Sequence, residues 1–110
     1  MQPRLRLVNR GEIALGPGKA DLLEALARTG SLAQAAREME MSYMRAWSLV
    51  RTMNVAFRRP LVTMRRGGQG RGGAALTPTG ERVLAHYRKM QQRSLRAVAE
   101  EVTALRRLLR

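Results

Sequence analysis

Cysteine is absent from all 110 residues, which excludes a disulfide scaffold, thiol catalysis and cysteine-ligated zinc. Histidine occurs once, as His86. A multi-histidine metal site is therefore impossible, and Ser-His-Asp catalysis would have to use that residue. His86 lies between Ala85 and Tyr87 in a helical stretch and reads as a surface or packing residue. Acids are scarce as well, eight in all, and the one adjacent pair, Glu100-Glu101, points to two different helix faces. We therefore expect no enzyme activity, no catalytic residue, no metal and no cofactor. Apolar runs are short: none approaches the roughly 18 residues of a membrane span, and Met1-Gln2-Pro3-Arg4 opens no signal peptide. The expectation is a small soluble domain in the cytoplasm.

Arginine fills the space these residues leave. Lys+Arg number 21 against eight acids, a formal charge of +13, and only Lys19 and Lys89 are lysine. An excess this large calls for a polyanionic partner, nucleic acid or an acidic membrane surface. The chain is 45% hydrophobic, so it is not a disordered basic tail, and its length suits one domain with one modest core.

The elements follow from local signals. Leu5-Arg6-Leu7-Val8 and Glu12-Ile13-Ala14-Leu15 are strand-like, with Asn9-Arg10-Gly11 between them as a hairpin turn. Gly16-Pro17-Gly18 starts a first helix that buries Ala20, Leu22, Leu23, Leu26 and Ala27 and stops at Gly30. Ser31-Leu32-Ala33-Gln34 has the form of a capping box for a second helix, which carries Leu32, Ala35, Ala36 and Met39 inward. A turn at Glu40-Met41 leads to Ser42, the N-cap of a third helix running to about Asn54. Leu61 to Met64 and Ala74 to Leu76 form a second hairpin around the glycine cluster at 67–73. Thr77 and Pro78 then open a last helix whose pattern reaches the C-terminus. Continuous to Leu109, it would be ~48 Å long, against a span of ~27 Å expected for a compact chain, so it must project.

Two consecutive helices over 31–54 have helix-turn-helix spacing. Taking Ala36 as the residue where they cross, Met39, Met41, Ala46 and Leu49 follow at the offsets such a crossing buries. Any helical hairpin shares that feature, so charge carries the argument. Between Met41 and Gly80 stand seven arginines (45, 51, 58, 59, 65, 66 and 71) and no acid. This window holds the third helix and the glycine-rich hairpin, the two parts a winged helix-turn-helix presents to DNA.

Projected at ~100° per residue, the third helix puts Ala46, Leu49, Val50 and Met53 inward and Met44, Ser48 and Arg51 outward, with Arg45 and Thr52 flanking. Arg45 and Arg51 suit guanine edges or phosphates. Trp47, the sole tryptophan, reads more readily as a core anchor than as a DNA contact. The glycines do not make a P-loop, since no Lys-Ser or Lys-Thr follows them. A hairpin tip lying along the phosphate backbone fits better, with Arg65, Arg66 and Arg71 as donors.

Leu95, Val98, Val102, Leu105 and Leu109 recur at alternating spacings of three and four, a coiled-coil seam suited to a partner chain. The division expected is 1–77 as the DNA-binding domain (hairpin 5–15, helix-turn-helix 31–54, wing 61–76) and 78–110 as a dimerisation helix. The fold class is mainly α with small β hairpins: a winged helix-turn-helix with a long C-terminal dimerisation helix.

Thr29-Gly30-Ser31-Leu32-Ala33-Gln34-Ala35-Ala36, Met41-Ser42-Tyr43 with Ala46-Trp47, the cluster Gly67-Gly68 and Gly70 to Gly73, and Ala75-Leu76-Thr77-Pro78-Thr79-Gly80-Glu81 occur in that order. Together they resemble the N-terminal winged-helix domain of the molybdate-dependent transcriptional regulator (ModE) family, and the Leu-Thr-x-x-Gly-Glu element is shared with LysR-type regulators. The resemblance implies a bacterial, nucleoid-associated, homodimeric regulator that binds double-stranded DNA sequence-specifically. It places the reading role on Ser42, Tyr43, Met44 and Arg45, beside the outward Ser48 and Arg51. The wing role falls on Gly67, Gly68, Gly70, Gly72 and Gly73 beside Arg65, Arg66 and Arg71. The family's oxyanion-binding domains lie beyond the length of this sequence, so no molybdate binding by these residues is expected. Glu40 stands where the family usually has glycine, which alters the turn if that position is left-handed. The alternatives are a winged-helix protein-interaction module and a nonspecific nucleoid-associated DNA binder.

Overall fold

The computed structural model describes residues 3–65 and 73–110. Along the chain run β1 (Leu7–Asn9), β2 (Glu12–Leu15), α1 (Pro17–Thr29), α2 (Leu32–Glu38), α3 (Tyr43–Ala56), β3 (Val62–Arg65), β4 (Gly73–Leu76), α4 (Pro78–Ala97) and α5 (Ala99–Leu108). The strands form two separate antiparallel pairs, β1 with β2 and β3 with β4.

The first hairpin is tighter than its sequence suggests. Asn9 pairs with Glu12, so the turn is Arg10-Gly11 alone, and both residues have positive φ, 53° and 78°. Two such residues make the primed turn whose twist matches paired strands. Leu5 and Arg6, expected in the first strand, lie outside it, and the Leu5 carbonyl accepts a hydrogen bond from the Tyr87 hydroxyl at 2.7 Å. Tyr87 is buried, and that burial pushes its phenol pKa up.

The predicted caps are in place. Gly30 closes α1 at φ 67°. The N–H of Gln34 donates to Ser31 Oγ, that of Arg45 to Ser42 Oγ and that of Gly80 to Thr77 Oγ1. Each hydroxyl satisfies one of the orphan donors of a helix start, worth ~1 kcal/mol.

The core is assembled from the end of β2, α1, α2, α3, the start of β3, β4 and the first half of α4. Leu22, Leu23, Leu26, Met53, Leu61, Val62 and Tyr87 are its largest fully buried side chains. Alanines at 20, 25, 35, 36 and 46 fill the helix crossings, and so small a residue lets backbones approach closely. Met39, Met41 and Leu49 pack partly against this core, as the helix-turn-helix offsets require. Ala27, expected inside, is exposed, and Ala25 takes its place. The buried arc of α1 is centred on Leu22 and Leu26, and Ala27 lies past its edge.

The last helix is interrupted. Val98 adopts φ −107°, ψ 9° and separates α4 from α5. Arg93 and Arg96 precede the break, and Glu100 and Glu101 follow it. That is the charge order of one helix ending and another beginning, since cations favour a helix C-terminus and acids an N-terminus. Helix α5 stops at Leu108 and leaves Leu109 in extended backbone, so the continuous seam through Leu109 is not formed. The projection itself holds. The radius of gyration is 16.3 Å, against ~13 Å for a compact chain of this length, and α5 buries no residue.

Candidate nucleic-acid interface

The turn between α2 and α3 sets the angle of the exposed helix. Glu40 has φ 56°. Its N–H donates to Arg37 O at 3.1 Å, and the N–H of Met41 donates to Ala36 O at 3.0 Å. These two bonds make a Schellman motif, which satisfies the last carbonyls of α2 while reversing the chain. Ser42 then caps α3, and Ala46, Val50 and Met53 anchor that helix on the core.

The opposite face of α3 is open. Ser42, Tyr43, Met44, Arg45, Ser48 and Arg51 are all exposed, Met44 at 67%. Met44, Ser48, Arg51 and Val55 form one straight stripe. Trp47, expected in the core, lies beside this stripe and is 38% exposed, with the Arg51 guanidinium 5.6 Å from its ring centroid. One turn apart on a helix, the two side chains stack as a cation–π pair. The reason is geometric: Trp47 sits about 100° from the inward Ala46, a rotation that carries a large ring out of the interface.

The second hairpin is tied to α3 by one side chain. Asn54 Oδ1 accepts from the N–H groups of Leu61 (2.8 Å) and Val62 (3.1 Å), and its Nδ2 donates to Val62 O at 3.0 Å. Sequence reasoning missed this residue; an asparagine at the end of a helix gives no signal of so distant a partner. The other strand is fixed by the N–H of Ala74 donating to Gly30 O at 3.0 Å. Strand pairs run from Val62 opposite Leu76 to Arg65 opposite Gly73. Arg65 is exposed and Gly73 half-buried. Of the other wing residues predicted, Arg66, Gly67, Gly68, Gly70, Arg71 and Gly72 lie outside the described residues.

The Leu-Thr-x-x-Gly-Glu element has a packing explanation. Thr77 donates its N–H to Leu61 O at 2.9 Å and its hydroxyl to Pro60 O at 2.7 Å. One turn later, a Cβ on Gly80 would stand 2.1 Å from Leu61 O. Only glycine lets the start of α4 press this closely on the backbone entering the wing.

Charge segregates over this surface. The acids that make ion pairs lie elsewhere: Asp21 and Glu24 both bind Arg88, at 2.9 and 3.2 Å, and Glu38 binds Arg28. Burial works to lower the Arg88 pKa, but its bonds and charge contacts with Asp21 and Glu24 outweigh that and raise it. Arg45, Arg51, Arg58, Arg59 and Arg65 make no ion pair among the described residues and remain available to an external anion.

Comparison with known proteins agrees with this geometry. The family model described as bacterial regulatory helix-turn-helix protein, lysR family, matches residues 19–81. The molybdenum-pterin-binding protein MopB of Rhodobacter capsulatus is 43% identical over 81 residues, 74% of this chain and 30% of that protein. The molybdenum transport protein ModE of Azotobacter vinelandii is 41% identical over 78 residues, covering 71% and 29% respectively. The DNA-binding transcriptional dual regulator ModE of Escherichia coli K12 is 37% identical over 76 residues, covering 69% and 29%. The chain thus spans about 30% of the length of these curated relatives. In the crystal structure of a CbnR_DBD–DNA complex, the protein superposes with a TM-score of 0.61 at 20% identity, covering 79% of this chain and 94% of that one. That likeness shows the winged-helix fold. With the matched segment running from the start of α1 to the first turn of α4, the chain belongs to the lysR family of bacterial regulatory helix-turn-helix proteins.

Proposed function

We propose that the chain binds double-stranded DNA sequence-specifically and acts as a homodimeric transcriptional regulator in the bacterial cytoplasm, on the nucleoid. The observation that carries this reading is the acid-free window between Met41 and Gly80. Among the described residues, Arg45 and Arg51 are exposed on α3, Arg58 and Arg59 on the segment that follows it, and Arg65 on β3. A helix in the major groove presents such a face to base edges, while arginines beside it hold phosphates. Tyr43, Met44, Arg45, Ser48 and Arg51 are the proposed reading residues, with Ser42 setting the start of their helix. Arg65, Arg66, Arg71 and the glycines from Gly67 to Gly73 are the proposed backbone contacts. Residues 1–77 would carry the DNA contacts, and 78–110 the contacts between copies. A protein-docking module would need no such field of charge, and the exposed Met44 favours sequence reading over purely nonspecific binding, since it suits a thymine methyl. The response to molybdenum that the relatives' names suggest is not part of this proposal.

Duplex titration across a salt series tests the reading. Neutralising about six phosphates gives a slope of log K against log[salt] near −5, and sequences selected from a random pool should bind at least tenfold more tightly than the pool. Affinity unchanged between low and physiological salt would overturn DNA binding. Equal affinity for selected and random sequences would leave the nonspecific reading instead.

A further inference from the structure

The hairpin β1–β2 is not absorbed by the helix-turn-helix reading, and its placement is informative. Between it and α3 lies an open groove of about 780 Å³, walled by Asn9 and Arg10 at the hairpin tip and by Ser48, Arg51 and Thr52 of α3. Ser48 and Arg51 belong to the proposed reading stripe, so the groove opens directly beside it. Ile13, Val55, Phe57 and Arg58 also line it. Three arginines therefore face this space, and Glu12 is its only acid. Three arginines against one acid leave the groove with a net positive field toward whatever enters. A second groove shares Asn9, Ala14, Phe57 and Arg58 with the first and adds Arg59 and Arg82, with no acid among the described residues that line it.

Position around α3 separates this hairpin from the wing. Asn54 holds the wing, whereas Thr52 faces the groove. Two residues apart, they stand roughly 160° apart around the helix. The reading helix is thus flanked on both sides by hairpins.

The tip residue adds an independent observation. Arg10 has φ 53°, at a turn position where asparagine or glycine is strongly preferred. A long cation held in left-handed backbone is a poor choice for the turn alone, and such an outlier points to function. Arg10 is exposed and makes no ion pair among the described residues.

We propose that the β1–β2 hairpin is a second grip on the DNA backbone, in which Arg10 contacts a phosphodiester on the flank of α3 opposite the wing. Arg58, which lines the same groove, supports that contact. This inference rests on the DNA-binding reading above, and the wild-type chain must bind duplex before it is tested.

Arg10→Asn separates turn from contact, because asparagine tolerates left-handed backbone better than arginine. The variant should melt no lower than the wild type. Its salt slope should flatten by about 0.9, and its affinity at 0.15 M salt should fall about fivefold, on selected and random duplex alike. Arg10→Lys should restore the slope and most of the affinity. Two results would overturn the proposal: Arg10→Asn with unchanged slope and affinity, or Arg10→Lys as weak as Arg10→Asn. Failure of the wild type to bind any duplex would instead refute the DNA-binding reading itself.

Discussion

Glu40 holds a backbone conformation that glycine adopts at far lower cost. Left-handed backbone costs a residue with a Cβ ~1–2 kcal/mol, while glycine in its place adds ~0.5–1 kcal/mol of chain entropy to be lost on folding. The first effect wins, so Glu40→Gly should stabilise the protein by ~0.5–1 kcal/mol and raise the melting temperature by a few degrees. Glu40→Ala keeps the Cβ and should give no such gain, and comparing the two by thermal denaturation isolates the backbone from the lost charge. Equal melting temperatures for both variants would refute the account. Single residues differed in how far the sequence revealed them. The unusual glutamate stood out because the family that the sequence resembles usually has glycine at that turn position. Trp47 did not, because its type favours burial and only its rotation around α3 exposes it. Asn54 was silent, since its partners lie seven and eight residues away.

At the scale of elements, the caps were the most legible feature, because each is a local contract between neighbouring residues. Pro17, Gly30, Ser31, Ser42, Thr77 and Pro78 mark ends that the structure reproduces. The break at Val98 was hidden behind a continuous apolar pattern, although Arg96 and Glu100-Glu101 carried its charge signature. How elements meet was less legible. Gly80 illustrates the point: its sequence neighbours explain a helix start but not the Leu61 carbonyl pressed against it. Gly80→Ala forces α4 away from the strand entry, and a contact of 2.1 Å with backbone cannot relax through a side-chain rotation. We expect a loss of ~2–3 kcal/mol, in the range for overpacking, read by chemical denaturation. Asn54→Ala leaves the N–H groups of Leu61 and Val62 without that acceptor, at ~1–3 kcal/mol. Because those bonds fix the wing to α3, the variant should also bind DNA more weakly than its lost stability explains. Wild-type stability in either variant would refute the packing argument.

Over the whole molecule, the basic winged helix was legible from helix spacing and the acid-free arginine window, and the projecting arm from the comparison of ~48 Å of helix with ~27 Å of compact span. What the arm meets is a matter of magnitude. Leu95, Val98 and Leu105 are 41%, 37% and 62% exposed, and Val102 is half-buried. With about half of each side chain still to be covered, each contributes ~1 kcal/mol on burial, or about 8 kcal/mol over the eight in two copies. Association costs ~4–15 kcal/mol, so this seam alone supports only a weak dimer, and Leu109, outside α5, adds nothing to a helical seam. At most ~4 kcal/mol is left over, so we expect the free chain to dimerise no more tightly than about 1 mM, and two half-sites on one duplex to strengthen pairing. Replacing Val98, Val102 or Leu105 with glutamate should abolish pairing on a duplex that carries two half-sites and weaken binding to that paired site far more than to a half-site. The melting temperature of residues 3–97 should barely change, because α5 buries nothing in its own chain. A wild-type chain that binds two half-sites on one duplex no more tightly than it binds each alone would show that the arm serves some other contact.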